Sequence, residues 1–389
     1  MFDIRTLNSI SPVWQDLLPG ESFRVGADVE RPQGIIVRSA DMHEMPVPEE
    51  LLAVGRAGAG YNNIPVQQLG QKGIVVFNTP GANANAVKEL AIAALLLASR
   101  DIIGGISWTW GLKGQGEQVP KLVEKGKSQF SGPELMGKTI GVIGLGGVGG
   151  MVANACTDLK MRVLGYDPYI SVENAWRLSR KIVHVTDMAE MLPLCDYLTI
   201  HVPLTDASRG SYNASVFSAM KKGAALINLA RGELVKSADI IDALKSGQLR
   251  RYVTDFPSEE MIGVPGVIAI PHLGASTPES EDNCVAMVSR QIRDYLEFGA
   301  ITNSVNYPAC PLPESFRYRL AVLHANVPNT VGSVTSAVAN QGVNIDSMVN
   351  RSRGEFAYTV LELDEPALPE TIQRISNLDS IYRVRYLSH

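Results

Sequence analysis

Continuous apolar runs, most of them five to eight residues long, recur along the chain from the N-terminus to about residue 305. Runs without alternation are typical of parallel strands that are covered on both faces. Stretches with apolar residues at helical spacing separate them, and one such stretch, 238–244, ends before Gly247 as a helix does. This alternation predicts doubly wound α/β sheets. The predicted strands are 34–39, 51–57, 73–77, 138–144, 161–167, 196–202, 224–230, 252–256 and 267–271, and one long apolar helix is predicted over 87–100.

A different pattern follows three closely spaced prolines, Pro308, Pro311 and Pro313, which indicate a linker. Strands are predicted over 320–327, 343–350, 356–363 and 381–387, and helices over 330–340 and 368–378. The order strand, helix, strand, strand, helix, strand predicts a ferredoxin-like βαββαβ module at the C-terminal end.

Composition narrows the class of protein. A length of 389 residues suggests two or three domains, and 45% hydrophobic with 19% charged residues is ordinary for a folded globular protein. The net charge of −5 argues against nucleic acid as a partner.

The longest apolar run, 90–98, is too short for a membrane span, and the first five residues show no secretory signal. We therefore expect a cytoplasmic protein without a membrane partner. The four dispersed cysteines predict neither disulfides nor a metal site.

The sharpest local motif is G-x-G-x-x-G at Gly144, Gly146 and Gly149, between an apolar strand and a helical stretch. In this motif the first glycine allows the turn, the second lets a pyrophosphate approach the backbone, and the third lets helix and strand pack closely. Asp167 ends the next strand 18 residues later, where a carboxylate can bind the ribose hydroxyls and repel a 2′-phosphate. The motif therefore predicts NAD rather than NADP. Gly147 and Val148 are predicted cofactor contacts within it.

Polar residues also follow three later strands, in the segments 227–233, 254–260 and 270–277, and open α/β sheets bind ligands at such ends. These segments, the glycine motif displaced to residue 144 and the C-terminal module together resemble the D-isomer-specific 2-hydroxyacid dehydrogenases. The resemblance extends over nearly the whole chain, and several motifs match in order.

The resemblance implies oxidation of a 2-hydroxy acid by hydride transfer to NAD. His272 is expected to take the hydroxyl proton, since an imidazole titrates near neutrality. Arg231 is expected to bind the substrate carboxylate, a bidentate task that suits a guanidinium. Asp255 is expected to accept from the nicotinamide carboxamide. The remaining cofactor contacts expected from the resemblance are His201, Val202, Pro203, Ala230, His272 itself and Gly274.

The carboxylate that would orient His272 has two candidates. The family commonly reads D-V-F-x-x-E, whereas this chain has Asp255 followed directly by Phe256. Counting from Asp255 selects Glu260, and aligning on phenylalanine and proline selects Glu259. We favour Glu260.

The first lobe supplies the expected substrate contacts, which are Arg38, Ser39, Arg56, Gly58 and Ala59. Within the family, arginines at positions 38 and 56 imply a phosphorylated substrate, because a phosphate needs cations. The expected reaction is oxidation of D-3-phosphoglycerate to 3-phosphohydroxypyruvate, which begins L-serine synthesis. Two alternatives remain open: another D-2-hydroxyacid or hydroxypyruvate dehydrogenase of this fold, or a catalytically silent NAD-sensing regulator.

The expected organisation has three parts. Residues 1–95 with 282–306 form a flavodoxin-like substrate-binding domain, residues 96–281 form a Rossmann-type NAD-binding domain, and residues 316–389 form a regulatory module that resembles the ACT domain. In that resemblance His324, Asn326 and Asn344 are candidate contacts for L-serine as an effector, with a plain assembly module as the alternative. A homodimer or homotetramer is expected, because 108–114 resembles a dimer-forming element.

Overall fold

A computed structural model describes residues 1–388 of the chain. In this range the strands are β1 (Phe2–Leu7), β2 (Phe23–Gly26), β3 (Gly34–Val37), β4 (Ala53–Arg56), β5 (Val75–Phe77), β6 (Thr139–Ile143), β7 (Arg162–Tyr166), β8 (Val183–His184), β9 (Tyr197–Ile200), β10 (Ala224–Asn228), β11 (Leu249–Thr254), β12 (Val267–Ala269), β13 (Tyr318–Ala325), β14 (Ile345–Arg353), β15 (Phe356–Leu363) and β16 (Ile381–Ser388). The α-helices are α1 (Val66–Gln71), α2 (Ala84–Ser99), α3 (Ile102–Trp110), α4 (Val119–Gly126), α5 (Gly147–Asp158), α6 (Val172–Trp176), α7 (Met188–Met191), α8 (Ala214–Ala219), α9 (Ser237–Lys245), α10 (Pro278–Phe298), α11 (Thr330–Ala339) and α12 (Pro369–Ser376).

The chain divides into two compact units. The first unit comprises Met1–Asn83 together with the chain from Glu281 onward, and the second comprises Ala84–Ser280. The first unit therefore contains the predicted C-terminal module and most of the predicted substrate-binding domain, whereas residues 84–95 of that domain lie in the second unit. The bounds of the three predicted domains stay a prediction, and residue 389, the last of the third, lies outside the described residues.

The first unit contains a parallel sheet in the order β2-β1-β3-β4-β5. This is the flavodoxin-like order, so the predicted fold class of this lobe is confirmed. All residues of β3 and β5 are buried, as their continuous apolar sequences predict. One core, which includes Ile35, Val37 and Leu69, covers one face of the sheet.

The C-terminal part of the first unit forms an antiparallel sheet in the order β14-β15-β13-β16. The predicted ferredoxin-like module is therefore present, with each strand and helix within a few residues of its predicted bounds. Its Leu320 and Val322 pack in one core with α11 residues such as Val334. The alternate residues of the same strand, Ala321 and Leu323, belong to a second core that also contains α10 and the first sheet. Both faces of β13 are thus covered by this chain, whereas most residues of the edge strand β14 are exposed.

The second unit contains a seven-stranded parallel sheet in the order β12-β11-β10-β9-β6-β7-β8. Starting the count at β6, this is the 3-2-1-4-5-6 order of a Rossmann fold with one additional strand, as predicted. Every residue of β9 and β10 is buried, because cores lie on both faces of the sheet. The order reverses between β6 and β9, which is where such folds bind ligands.

Strands β1, β2 and β8 were not predicted. In β1, Phe2, Ile4 and Thr6 alternate with the charged Asp3 and Arg5, so the segment has no continuous apolar run. The structure accommodates these charges through bonds from the Arg5 guanidinium to backbone carbonyls of the chain near residue 30 and from Arg24 to Asp3. Continuous apolar sequence therefore does not identify β1, which lies next to the edge strand β2.

No single helix within residues 1–388 combines the length and apolar character that a membrane span needs; α2 and α3 meet both criteria only as a pair, across a bend of 70°.

Candidate active site

The glycine motif forms the turn between β6 and α5 in the second unit. Gly144 has a φ of 84°, a conformation that side chains with a Cβ rarely adopt. A Cβ on Gly149 would overlap the carbonyl oxygen of Gly144, whereas a Cβ on Gly146 would meet no atom within 4 Å. Gly147 and Val148 begin α5, so their backbone N–H groups lie at the positive end of the helix. The motif thus has the tight packing and the open space that a pyrophosphate needs.

Asp167 follows β7 and faces this turn. Its Oδ2 accepts a hydrogen bond from the Leu145 N–H at 2.8 Å and its Oδ1 accepts one from the Tyr169 N–H at 2.9 Å. These bonds fix the carboxylate beside the glycine turn and leave further lone pairs on each oxygen. The carboxylate lines a cavity of about 590 Å³, together with Gly144, Gly146, Tyr166, His201, Val202, Pro203 and Tyr212.

His201 forms part of the wall of this cavity. Its Nε2 lies 2.9 Å from the Thr199 hydroxyl, and burial lowers its pKa to about 4. The imidazole is therefore neutral at physiological pH. A cavity with an uncharged, partly apolar wall opposite a fixed carboxylate fits an adenosine moiety with its ribose hydroxyls. His201, Val202 and Pro203 line this one cavity, and their role as cofactor contacts stays a prediction.

The loop after β10 carries Ala230 and Arg231. The buried Asn228 organises it: its Oδ1 accepts from the Ala230 N–H at 3.1 Å and its Nδ2 donates to the Arg231 carbonyl at 2.9 Å. The Arg231 guanidinium donates to the Ala230 carbonyl at 2.6 Å and is half-buried. Asn228 is a positioning residue that the sequence reasoning missed, although it lay within a segment singled out for its polar residues.

Asp255 follows β11 and is almost completely buried, with 1% of its surface exposed. Its Oδ2 accepts from the Gly274 N–H at 3.3 Å, whereas its Oδ1 has no hydrogen-bond partner among the described residues. Burial raises the pKa of Asp255, and the nearby His272 and Arg231 act in the opposite direction. A buried carboxylate oxygen without a donor is costly unless a ligand supplies one, and the carboxamide N–H of a nicotinamide fits this requirement.

His272 follows β12 and is exposed to solvent. Its ring packs against that of Phe256, with centroids 4.4 Å apart, and the Arg231 guanidinium carbon lies 5.7 Å from the same phenyl ring. The structure thus brings Arg231, Asp255 and His272 together at the ends of three neighbouring strands. The sequence reasoning gave Phe256 no role.

Glu259 and Glu260 lie in a short, exposed turn after Asp255. The contact of Glu260 is with the Ser258 hydroxyl, which donates at 3.4 Å. In the described part of the chain, no carboxylate is hydrogen-bonded to the His272 ring. The structure therefore does not bring either glutamate to His272, and the choice between them stays a prediction.

The predicted substrate contacts of the first unit follow strands β3 and β4. Arg38 forms an ion pair with Glu281 at 2.5 Å, and the Asn8 side chain accepts from the backbone N–H of Ser39 at 3.0 Å. The Arg56 guanidinium lies over Gly58, whose φ is 145°. Asn78 donates to the Ala59 carbonyl at 2.7 Å, which ties this loop to the end of β5.

Of the three predicted effector contacts, His324 lies in β13, Asn326 directly follows that strand and Asn344 directly precedes β14. His324 is buried, with Nδ1 2.8 Å from the Ala325 carbonyl and Nε2 2.8 Å from the Thr359 hydroxyl, and burial lowers its pKa. Asn326 donates to the Gly354 carbonyl at 3.1 Å. Asn344 donates to Asp346 at 3.2 Å and is exposed.

Comparison with known proteins agrees with this geometry. Residues 93–274 match the model of the D-isomer specific 2-hydroxyacid dehydrogenase, NAD binding domain. The chain is 32% identical to a protein of Archaeoglobus fulgidus named D-3-phosphoglycerate dehydrogenase over 369 residues, which are 90% of this chain and 66% of that protein. It is 35% identical to the rat protein of the same name, over 73% of this chain and 52% of that protein. The chain thus spans about half to two thirds of the length of these relatives.

Among solved structures, the chain resembles the NAD⁺-bound 3-phosphoglycerate dehydrogenase of Entamoeba histolytica, with a TM-score of 0.62 and 26% identity. The similarity covers 78% of this chain and 98% of that one. The chain belongs to the D-isomer-specific 2-hydroxyacid dehydrogenase family, and residues 93–274 form its NAD-binding domain.

Proposed function

We propose that the protein oxidises D-3-phosphoglycerate to 3-phosphohydroxypyruvate with NAD, the first step of L-serine synthesis. The observation that carries the proposal is the convergence of Arg231, Asp255 and His272 at the ends of β10, β11 and β12. A guanidinium, a buried carboxylate and an imidazole in one place are the groups that hydride abstraction from a 2-hydroxy acid requires. The names of the two relatives support this substrate.

When bound, NAD supplies the hydride acceptor. The proposed residues perform the remaining tasks: Arg231 binds the substrate carboxylate and polarises the C2 oxygen, and His272 takes the proton from the C2 hydroxyl. The unpartnered Oδ1 of Asp255 accepts from the carboxamide and thereby orients the nicotinamide. Glu260 belongs to an exposed turn, so this turn must shift before its carboxylate can accept a ring N–H from His272 and stabilise the imidazolium.

The phosphate of the substrate is assigned to Arg38 and Arg56. Arg38 follows β3 and Arg56 ends the neighbouring parallel strand β4, since Val37 pairs with Arg56 in the β3–β4 ladder. Their charges therefore lie at the same edge of the sheet. A phosphate group carries nearly two negative charges, so it binds a pair of guanidinium groups more strongly than it binds neutral donors.

A spectrophotometric NADH assay with a panel of D-2-hydroxy acids tests the function. We expect D-3-phosphoglycerate to give the highest kcat/KM, and His272→Asn to lower kcat by about 10²–10⁴-fold, the usual contribution of a general base. Exchange of the exposed His184 for Asn is the matched control and leaves kcat unchanged. Equal rates for D-glycerate and D-3-phosphoglycerate, or an active His272→Asn variant, would contradict the proposal.

L-Serine is proposed as an effector of the C-terminal module, with His324, Asn326 and Asn344 as its contacts. Asn344 offers an exposed amide, whereas both His324 nitrogens are already hydrogen-bonded, so binding at His324 requires exchange of the Thr359 contact. Initial rates with and without millimolar L-serine test this. An unchanged rate would leave the module as a structural element.

We also propose a cytoplasmic location and assembly into a homodimer or homotetramer. The assembly is supported by the exposed apolar surface of α3, where Ile103, Ile106 and Trp110 are 48%, 47% and 74% exposed. Apolar patches of this kind on a folded protein mark contact surfaces. Light scattering on the protein and on its Trp110→Glu variant distinguishes an oligomer from a monomer.

A further inference from the structure

The predicted phosphate ligand Arg38 already has an anionic partner within its own unit. Its Nη1 lies 2.5 Å from Oε1 of Glu281, at the beginning of α10. Neither side chain is deeply buried, with 36% of Arg38 and 38% of Glu281 exposed. Ion pairs with this exposure contribute little to stability, typically less than about 1 kcal/mol, so a stronger anion can displace the carboxylate at small cost.

The backbone of Glu281 is held in place by the rest of α10. The helix has 21 residues, and its Val285, Val288 and Ile292 are buried in the core of the first unit. Close to Glu281, the Ser11 hydroxyl donates to Asp282.

The far end of α10 is also fixed. Arg385 donates to the carbonyls of Tyr295 and Leu296, each at 2.8 Å, and Arg319 donates to the carbonyl of Phe298 at 2.5 Å. The backbone of Glu281 thus stays in place, so the ion pair opens through side-chain rotation of the two partly exposed partners.

We propose that Glu281 sets the phosphate affinity of Arg38, as an internal carboxylate that neutralises Arg38 until a substrate phosphate displaces it. This inference rests on the proposed phosphate-binding function of Arg38. A phosphate carries up to two charges and three acceptor oxygens, so it competes with a carboxylate for a guanidinium more effectively than a neutral hydroxyl group does. In the absence of a phosphorylated substrate, Glu281 lowers the affinity of Arg38 for other anions.

Removal of the Glu281 charge provides the test. In Glu281→Gln we expect the KM for D-3-phosphoglycerate to fall by about three- to tenfold with kcat unchanged, because one repulsive charge near the phosphate is lost at a partly exposed site. The KM for D-glycerate is expected to stay the same. Glu279→Gln is the matched control, since Glu279 is an exposed glutamate two residues earlier and therefore on another side of the same helix.

A double-mutant cycle with Arg38→Gln assigns the effect to the pair. We expect Glu281→Gln to change the KM for D-3-phosphoglycerate hardly at all once Arg38 is absent, because the two charges act on each other. An increase in KM for Glu281→Gln, an equal decrease for Glu279→Gln, or the same decrease in the Arg38→Gln background would overturn the inference.

A second readout does not depend on the identity of the substrate. Inorganic phosphate serves as the probe, and its concentration-dependent effect on the thermal unfolding midpoint reports binding. We expect half of the effect at about three- to tenfold lower phosphate in Glu281→Gln and no effect in Arg38→Gln. If D-3-phosphoglycerate is not oxidised but this pattern holds, the proposed substrate fails and the role of Glu281 stands. If it is oxidised and the pattern is missing, the role of Glu281 fails alone.

Discussion

The phenyl ring of Phe256 lies against the imidazole of His272, with centroids 4.4 Å apart and ring planes inclined by 47°. The same phenyl ring lies 5.7 Å from the guanidinium carbon of Arg231. One side chain therefore contacts both residues to which we assign proton transfer and carboxylate binding. No carboxylate among the described residues is hydrogen-bonded to the His272 ring, so we expect the contact with Phe256 to restrain the imidazole.

Replacing Phe256 with leucine is expected to lower kcat by about three- to tenfold. Ring contacts of this kind contribute about 0.5–1.5 kcal/mol beyond simple burial, and their loss lets the imidazole leave its reactive orientation. The KM for NAD is expected to stay the same, because Phe256 does not line the cavity around Asp167. Steady-state kinetics with each substrate varied in turn measures both quantities.

The matched control is Phe256→Tyr, which keeps the ring and should retain most of the kcat. If the leucine variant keeps full kcat, or if the tyrosine variant loses as much as the leucine variant, the ring does not position His272.

Several features of the fold could be predicted from the sequence because they depend on local pattern. Strands such as β3 and β10 are apolar on both faces, and the glycine motif has its structural requirements within six residues. Contacts between distant segments could not be predicted in this way. Phe256 and His272 are 16 positions apart and Arg38 and Glu281 are 243 apart, and nothing in either local sequence specifies the partner.

Gly146 and Gly149 of the glycine motif are expected to respond differently to alanine. In Gly149→Ala, the new Cβ overlaps the Gly144 carbonyl, so we expect a loss of stability of about 1–3 kcal/mol and at least about tenfold weaker NADH binding. In Gly146→Ala, the Cβ enters open space, so stability should change by less than about 1 kcal/mol while NADH binding weakens. Fluorescence titration with NADH and thermal unfolding measure the two effects.

Gly150→Ala is the matched control in the same helix, because its Cβ would meet neighbours only at 3.4 Å. It should leave both quantities unchanged or raise stability, since alanine favours the helix. Equal NADH affinities for Gly146→Ala and Gly150→Ala would contradict the assignment of the open space to the pyrophosphate.

The C-terminal sheet is expected to depend on Arg385 for its attachment to α10. This arginine is 7% exposed, donates to two carbonyls at the helix end and stacks on Tyr295 at 4.5 Å. In Arg385→Met the Leu296 carbonyl loses its arginine donor and the stacking on Tyr295 is lost, whereas the Tyr295 carbonyl keeps the Gly299 N–H as a donor. We therefore expect a loss of about 1–3 kcal/mol in the free energy of unfolding, measured with urea. The control is Arg374→Met at an exposed position, which should change the free energy of unfolding by less than about 0.5 kcal/mol. An equally small effect of Arg385→Met would show that the C-terminal sheet does not depend on Arg385 for its attachment to α10.

Acid is expected to destabilise the second unit through His201. Burial lowers its pKa in the folded chain to about 4, whereas an unfolded histidine titrates near 6.5, so the unfolded state binds more protons between these values. Its contribution to stability is therefore fully present above pH about 6.5 and is lost as the pH falls toward 4. At pH 5 the loss is at most about 2 kcal/mol, reduced to the extent that solvent reaches the ring.

His201→Gln should lessen the difference between the unfolding midpoints at pH 7.5 and pH 5, because glutamine does not titrate. The exposed His184→Gln should leave that difference as it is in the unsubstituted protein. Identical pH dependence in His201→Gln and the unsubstituted protein would mean that another group controls the response to acid.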